Sequence, residues 1–500
     1  MNESSYLLAI GVNTGNSLDA ADVVLTRFGV DGSIADLDAV SASLPGELAD
    51  RLRLFRSAAV DSFGDMDAAV RCYEQRAADA KVVRPSMDHL VADYTLYVSI
   101  AVKDLIKRTT EHIGVGTGID LIGFHGQTCA HKPPSISQDP ESAYTLQIGD
   151  GQLLADDTGI PVVFDFRSDD LMNGGEAAPL APVHHEHLAH HLKDRGKFPI
   201  AFCNAGNTGN ISVITEHGDK RVVLLGWDVG PFNDYADKLM QGQRGQLCDL
   251  DGKIGAQGKV NCDLLQLLFD KGAVTDKGEN FLLQPPPKSS DPQWYRLLPE
   301  LMGEASVAGA PLSFEDRLRT AEYFAAYVYF YSLKWIADDV LVPTCFALCG
   351  GGWNNPLSRG HFEQLLNGNF EDSPVLPEHR EIFAQIHKRL RSTGAKIEVA
   401  MADEYGFSGQ YMEARLFADA AVCRIKGEAF SRPATTGCKS PTVLGILRFP
   451  QNKPELASER LRMWLSKYQS GALTLDKPEV FDRRWSRAAR GWNVRGKLVR

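Results

Sequence analysis

The sequence predicts an α/β protein made of two related halves with a cleft between them. Three observations carry that expectation. The 500 residues exceed the ~250–300 at which a single hydrophobic core stops growing. Short apolar, β-rich runs alternate with helical periodicity along the chain, the order of an α/β sheet. A strand–polar turn–strand opening occurs at 6–28 and again at 198–219, which points to a duplication.

YLLAIGV and ADVVLTRF flank TGNSLD, so residues 6–28 read as a β-hairpin. Helical spacing covers 66–83 and 88–111, and LIGFHG (121–126) is a buried strand ending on a glycine turn. TLQIGDGQLLADDTG reads as strand then helix, IPVVFDF (160–166) as a short buried strand, and 183–194 as a helix. The polar break KDRGK ends a first domain expected over 1–195. The second, 196–450, restarts with FPIAFCNAGNTGNISVITEHGD and adds RVVLLGWD as a third strand. Helices follow near 235–242, 262–270 and 314–337. VPTCFALCGGG (342–352) runs a strand into three glycines, NNPLSRGHFEQLL is a helix, AKIEVAMADEYG a strand and turn, and SGQYMEARLFADAAVCRI a helix.

Composition excludes several function classes. A net charge of −11 argues against a nucleic-acid binder, and no window approaches the ~20 apolar residues of a membrane span. The N-terminus has no basic region before its apolar strand, so no signal peptide is expected. Nine scattered cysteines, with no C-x-x-C pair and no zinc spacing, point to a reducing compartment and hence the cytoplasm. Residues 451–500 form a basic extension, twelve Lys/Arg against five acids, whose Trp464, Tyr468, Trp485 and Trp492 suggest docking on the acidic body.

The chemistry is expected in the turns. GVNTGNSLDAAD and NAGNTGNIS place small residues where consecutive backbone N–H groups converge on a phosphate. Gly15, Asn16 and Ser17 in the first loop and Asn207, Thr208 and Gly209 in the second are the candidate phosphate contacts. Gly350, Gly351, Gly352 and Asn355 precede a helix, where backbone can approach a nucleotide. Each turn alone reads more readily as an ordinary hairpin or connection; the three in this order are informative. In GWDVGPFNDYAD, Asp228 sits at a strand end before a rigid Gly230–Pro231 break, a place where an aspartate commonly serves its own turn.

GVNTGNSLDAADVVL, GFHGQT, LQIGDGQLLADDTGIPVVFDFRSDD followed by APLAP, GWDVGPFN, LCGGGWNNP, MEARLFA and TTGCKSPTVLG run in collinear order from about 6 to 447. This set resembles the anhydro-N-acetylmuramic acid kinases, and levoglucosan kinase shares it, within the sugar kinase, actin and Hsp70 superfamily. The resemblance implies two actin-like (ribonuclease H-like) ATPase domains flanking a nucleotide and sugar cleft. It also implies ATP and Mg²⁺, an anhydro-sugar substrate, and a place in amino-sugar metabolism and cell-wall recycling. No nucleic-acid or membrane partner is implied, and a homodimer stays open.

By the same resemblance, Asp228 is the general base for a water that attacks the anomeric carbon, after which the liberated O6 takes the γ-phosphoryl group. Asp19, His125, Arg167 and Glu413 match groups around the sugar, and Asp19 and Glu413 also face the Mg²⁺ region through water. Their bland alternatives are a turn cap for Asp19, a satisfied core histidine for His125 and a solvated helix acid for Glu413. Departures from the family pattern are Asn16, Ala20, Val229 and Phe232. Phe232 replaces a glycine beside the base; either it fills space near the sugar's bulkier substituents, favouring a smaller anhydro-sugar, or its ring enters the domain core. The alternative function is a catalytically weak or inactive family member that binds nucleotide as a sensor or regulator.

Overall fold

The computed structural model describes residues 5–15, 17–63, 65–113, 118–137, 142–370, 373–451 and 458–468. The chain divides into two compact units, Met1–Pro134 with Asp139–Leu180 and Tyr411–Arg500, and Ser135–Gln138 with Ala181–Gln410. The change of unit therefore falls at 180/181 rather than 195/196, and the chain returns to the first unit at 411.

Close packing explains both shifts. The helix Ala181–Lys193 begins against the second unit's sheet, where a Cβ on Gly226 would meet Pro182 Cγ at 2.2 Å. The helix Met412–Lys426 crosses the first unit's sheet so closely that Cβ atoms on Gly11 and Gly123 would meet the carbonyl oxygens of Ala414 and Phe417 at 1.8 and 2.0 Å. Only glycine permits that approach.

In the first unit, β1 (Tyr6–Thr14), β2 (Ala20–Gly29) and β3 (Ile34–Ser43) form an antiparallel meander. β4 (Leu121–Phe124) runs parallel to β1; β5 (Gln127–Lys132) and β6 (Tyr144–Ile148) form a separate ribbon. β7 (Val162–Phe164) runs parallel to β4. In the second unit, β8 (Ile200–Ala205), β9 (Thr208–Glu216) and β10 (Val222–Pro231) repeat the antiparallel meander. β11 (Cys345–Cys349) and β12 (Glu398–Met401) extend it in parallel, giving the order β10-β9-β8-β11-β12. β13 (Ile446–Arg448) returns to the first sheet, antiparallel to β7, and completes β13-β7-β4-β1-β2-β3. A mixed α/β fold is what the alternation predicts.

The expected hairpin at 6–28 continues into a third strand that has no apolar run, because β3 is an edge strand with only partly covered side chains. The helices Gly46–Asp61 and Arg380–Ser392 likewise lie outside the expected elements. The helix Phe314–Ser332 is buried on nearly every side, and Tyr323, Tyr327, Tyr329 and Phe330 make it the axis of the second unit's core. Among the described residues no helix is long and apolar enough to cross a membrane.

The start of the basic extension packs on the first unit. In the helix Glu459–Tyr468, Leu461 and Trp464 are buried, and Arg460 Nε donates at 3.0 Å to Asp120, which is 0% exposed. The remainder of the expected extension, at 452–457 and 469–500, lies outside the described residues.

Candidate active site

In the second unit, Asp228 sits on β10 at the point where the pairing with β9 shifts register between Asp228 and Gly230. A bulge re-aims side chains next to it. The carboxylate is 5% exposed and held from a remote segment: its Oδ2 accepts from Ser289 Oγ and from Ser290 N–H, both at 2.8 Å. The backbone joins the same segment, since Asp228 N–H donates to Lys288 O at 3.1 Å. Asp228 is therefore not an aspartate that serves only its own turn.

The turn after it is tied to the second glycine-asparagine loop. Phe232 N–H donates to Asn207 O at 2.8 Å, and Asn233 N–H to Gly206 O at 3.1 Å. Thr208 Oγ1 bonds Tyr295 Oη at 2.9 Å, and Tyr295 Oη bonds Ser290 Oγ at 2.6 Å. A hydrogen-bonded chain thus runs from the holder of Asp228 to Thr208. Gly209 lies under Tyr329, whose hydroxyl is within hydrogen-bond reach of Asn204 O and Asn210 O and shares its one proton between them.

The glycine run follows β11. Gly350 has φ +87°, a left-handed conformation suited to glycine, while a Cβ on Gly351 would meet nothing within 4 Å. Asn355 caps the helix Pro356–Asn367 through Leu357 N–H at 2.9 Å and donates Nδ2 to Glu322 at 2.7 Å. Burial, reinforced by Asp249, pushes the Glu322 carboxyl up to about 8.

Phe232 turns into the core, the second of the two readings open for it. It is 2% exposed, edge-on to Tyr329 and Trp353 at centroid distances of 5.5 and 4.6 Å. Its ring supports the glycine run from below: a Cβ on Gly352 would lie 2.6 Å from it.

In the first unit, Gly15 O accepts from Leu18 N–H at 3.2 Å, closing the β1–β2 turn with Leu18 at φ +58°. Exposed Asp19 accepts from Ser17 Oγ at 2.6 Å and from Ala20 N–H at 2.9 Å, so it does brace its own turn. Asn16 lies outside the described residues. Glu413 stands exposed in the first turn of its helix, and its Oε2 accepts from Asn13 Nδ2 at 2.7 Å. That bond brings Glu413 to the root of the loop.

His125 and Arg167 also meet there. Arg167 Nε donates to His125 Nε2 at 2.9 Å, so the ring is neutral with its proton on Nδ1. Burial and then Arg167 hold the imidazole well below its ordinary value. The ring stacks on Phe417 at 4.3 Å, and Arg167 Nη1 donates to Ala177 O at 2.7 Å. Buried Asp165, at φ +57°, accepts from Ser168 Oγ at 2.5 Å just before Arg167.

A family model described as anhydro-N-acetylmuramic acid kinase matches residues 7–372. The chain belongs to the anhydro-N-acetylmuramic acid kinase family. The anhydro-N-acetylmuramic acid kinase of Methylorubrum populi is 30% identical over 452 residues, covering 88% of this chain and 99% of that one. The one from Agrobacterium fabrum is 29% identical over 439 residues, covering 88% and 98%. As a member of the anhydro-N-acetylmuramic acid kinase family the chain is an enzyme, a phosphotransferase.

For this anhydro-N-acetylmuramic acid kinase family member, sequence reasoning assigned no role to Asn13, Lys288, Ser289, Ser290, Tyr295 or Glu322. The PPPKSS stretch (285–290) carried a signal, a lysine and two serines in a rigid apolar setting, but not its partner.

Proposed function

We propose that this enzyme opens the 1,6-anhydro bridge of anhydro-N-acetylmuramic acid and phosphorylates O6 with ATP. The observation that carries this reading is the buried Asp228 carboxylate, fixed through Oδ2 by Ser289 and Ser290. A carboxylate held in place can take a proton from a water as that water attacks the anomeric carbon. The C1–O6 bond breaks, O6 forms the new bond to the γ-phosphorus, and ADP leaves. His125 and Arg167 orient the sugar; Arg167 stays charged at any relevant pH and its fork suits hydroxyl oxygens.

Phosphate contacts come from the backbone at Gly15, Ser17, Asn207, Thr208 and Gly209, with Gly350–Gly352 and Asn355 for the rest of the nucleotide. The open space over Gly351 supports a close approach there. A bound Mg²⁺ ion would supply neutralisation of the charge on the transferring phosphoryl group. The exposed oxygen donors Asp19 and Glu413 fit it, through water, and Asn13 orients Glu413.

Two actin-like domains related by duplication are part of the proposal; the shared order of strand pairing in the two sheets supports it. A cytoplasmic setting is another part, supported by nine free cysteines. The buried Phe232 removes the argument for a smaller sugar, so the muramic-acid derivative is the substrate we propose.

ADP release should be measured with anhydro-N-acetylmuramic acid, levoglucosan and ordinary hexoses, with the reaction run in ¹⁸O-water. The expected result is release with the first sugar, one ¹⁸O at C1 and phosphate on O6. Release with ordinary hexoses alone, or no ¹⁸O in the product, overturns the reading.

A further inference from the structure

Lys288 is the buried cation nearest in sequence to the two residues that hold Asp228, and the mechanism above makes no use of it. It is 1% exposed. Its Nζ makes one hydrogen bond among the described residues, to Phe281 O at 2.8 Å, and lies 4.3 Å from the centre of the Phe281 ring. An ammonium with three donors is strongly hydrated in water. Burying it with one acceptor and a ring face is costly unless a charge partner compensates.

Asp228 is the acid whose charge supports it, although the two side chains form no direct ion pair. The two residues share a backbone hydrogen bond at 3.1 Å, and the next two positions after Lys288 hold the carboxylate. Burial lowers the Lys288 ammonium to about 7, Asp228 acts in the opposite direction, and Lys334 adds a smaller lowering. Tyr295 and Tyr329 are titratable groups that face Asp228, both raised chiefly by burial and further by Asp228. Asp234 also acts on Tyr295.

We propose that Lys288 is a positioning residue for Asp228: its backbone and the two residues that follow orient the carboxylate, and its buried ammonium keeps that carboxylate ionised. The inference rests on the reading of Asp228 as the base. The segment therefore does two things at once. Ser289 and Ser290 fix where Oδ2 of the carboxylate lies, and Lys288 supports its charge state. The same segment continues through Tyr295 to Thr208 of the candidate phosphate loop, so the position of the base is tied to that of the loop.

The test is the pH profile of kcat/KM for Lys288→Met and Lys288→Arg. Without the cation, the acidic limb should move upward by roughly 1–2 pH units, since an opposite charge lowers a carboxylate by that order. The arginine variant should keep the limb near its wild-type position. An acidic limb unmoved in folded Lys288→Met overturns the proposal.

A second measurement needs neither a Lys288 variant nor turnover. The folded Lys288 value lies below the ordinary 10.5, so between about 7 and that value the unfolded chain binds more protons and stability rises with pH. In Asp228→Asn the supporting charge is gone, and the onset of this rise should move to lower pH by about one unit. Urea unfolding at a series of pH values reads the onset. Identical onsets in the two proteins overturn the coupling even if the reaction proposed above holds; a shifted onset supports it even if that reaction fails.

Discussion

Phe232 packs edge-on against Trp353 with ring centroids 4.6 Å apart, and Trp353 in turn donates its indole N–H to Cys203 O at 2.8 Å. The bulky residue beside the proposed base is thereby anchored to β8 and to the glycine run. Phe232→Ala should cost ~3–5 kcal/mol of stability, the range for emptying an aromatic site in a packed core. Urea unfolding measures this. The ratio of kcat/KM between anhydro-N-acetylmuramic acid and levoglucosan should stay within about twofold, because a buried ring contributes no specificity. A strong gain for the bulky sugar would return the ring to the sugar pocket.

Asp228→Asn preserves size and hydrogen-bonding capacity while removing the proton acceptor. Turnover should fall by ~10²–10⁴-fold, the usual contribution of a general base. Nucleotide affinity, read by calorimetry, should change little. Wild-type turnover in this variant would remove Asp228 from the role.

Glu322 offers a test at the glycine run. Its folded carboxyl lies at about 8, above its ordinary 4.5, chiefly through burial and then through Asp249. Between those values the native chain holds a proton that the unfolded chain has lost, so stability falls as pH rises across that window. Glu322→Gln keeps an acceptor for Asn355 and cannot ionise. It should flatten the decline and be the more stable protein at pH 8, by a few kcal/mol at most. Denaturation at pH 5 and pH 8 decides; parallel curves for the two proteins would sink the idea.

Arg460 and Asp120 form a buried pair, with the Asp120 carboxylate also accepting from Leu8 N–H at 2.7 Å and from Ser458. Removing only the cation leaves a buried charge uncompensated, at a cost of roughly 3–5 kcal/mol. Arg460→Met should therefore lower the melting temperature sharply, and Arg460→Met with Asp120→Asn should recover part of the loss. Equal melting temperatures for wild type and Arg460→Met would show that the extension adds no stability.

Much of the architecture was legible because it is local. Hydrophobic alternation marks β1, β2, β8, β9 and β10, and helical spacing marks Met66–Asp79 and Met87–Ile113. β3 was not legible, since an edge strand with partly covered residues of both kinds leaves no apolar run. The polar turns and the Asp-x-Gly-Pro turn were legible as candidate sites because their residue types are constrained by backbone shape and chemistry rather than by distant neighbours.

The sequence by itself singled out the candidates: Asp228 on its rigid turn, the glycines that open the loops and, through the family resemblance, Glu413 on its helix. Tertiary structure alone decided who holds them. Ser289 reaches Asp228 across 61 positions and Asn13 reaches Glu413 across 400. It also decided that Phe232 faces the core, and that the helix Met412–Lys426 belongs with the first sheet rather than with the residues before it. The reason is physical. Periodicity encodes which face of an element is apolar, but the partner of that face, and of any carboxylate on it, is selected by how the folded surfaces fit.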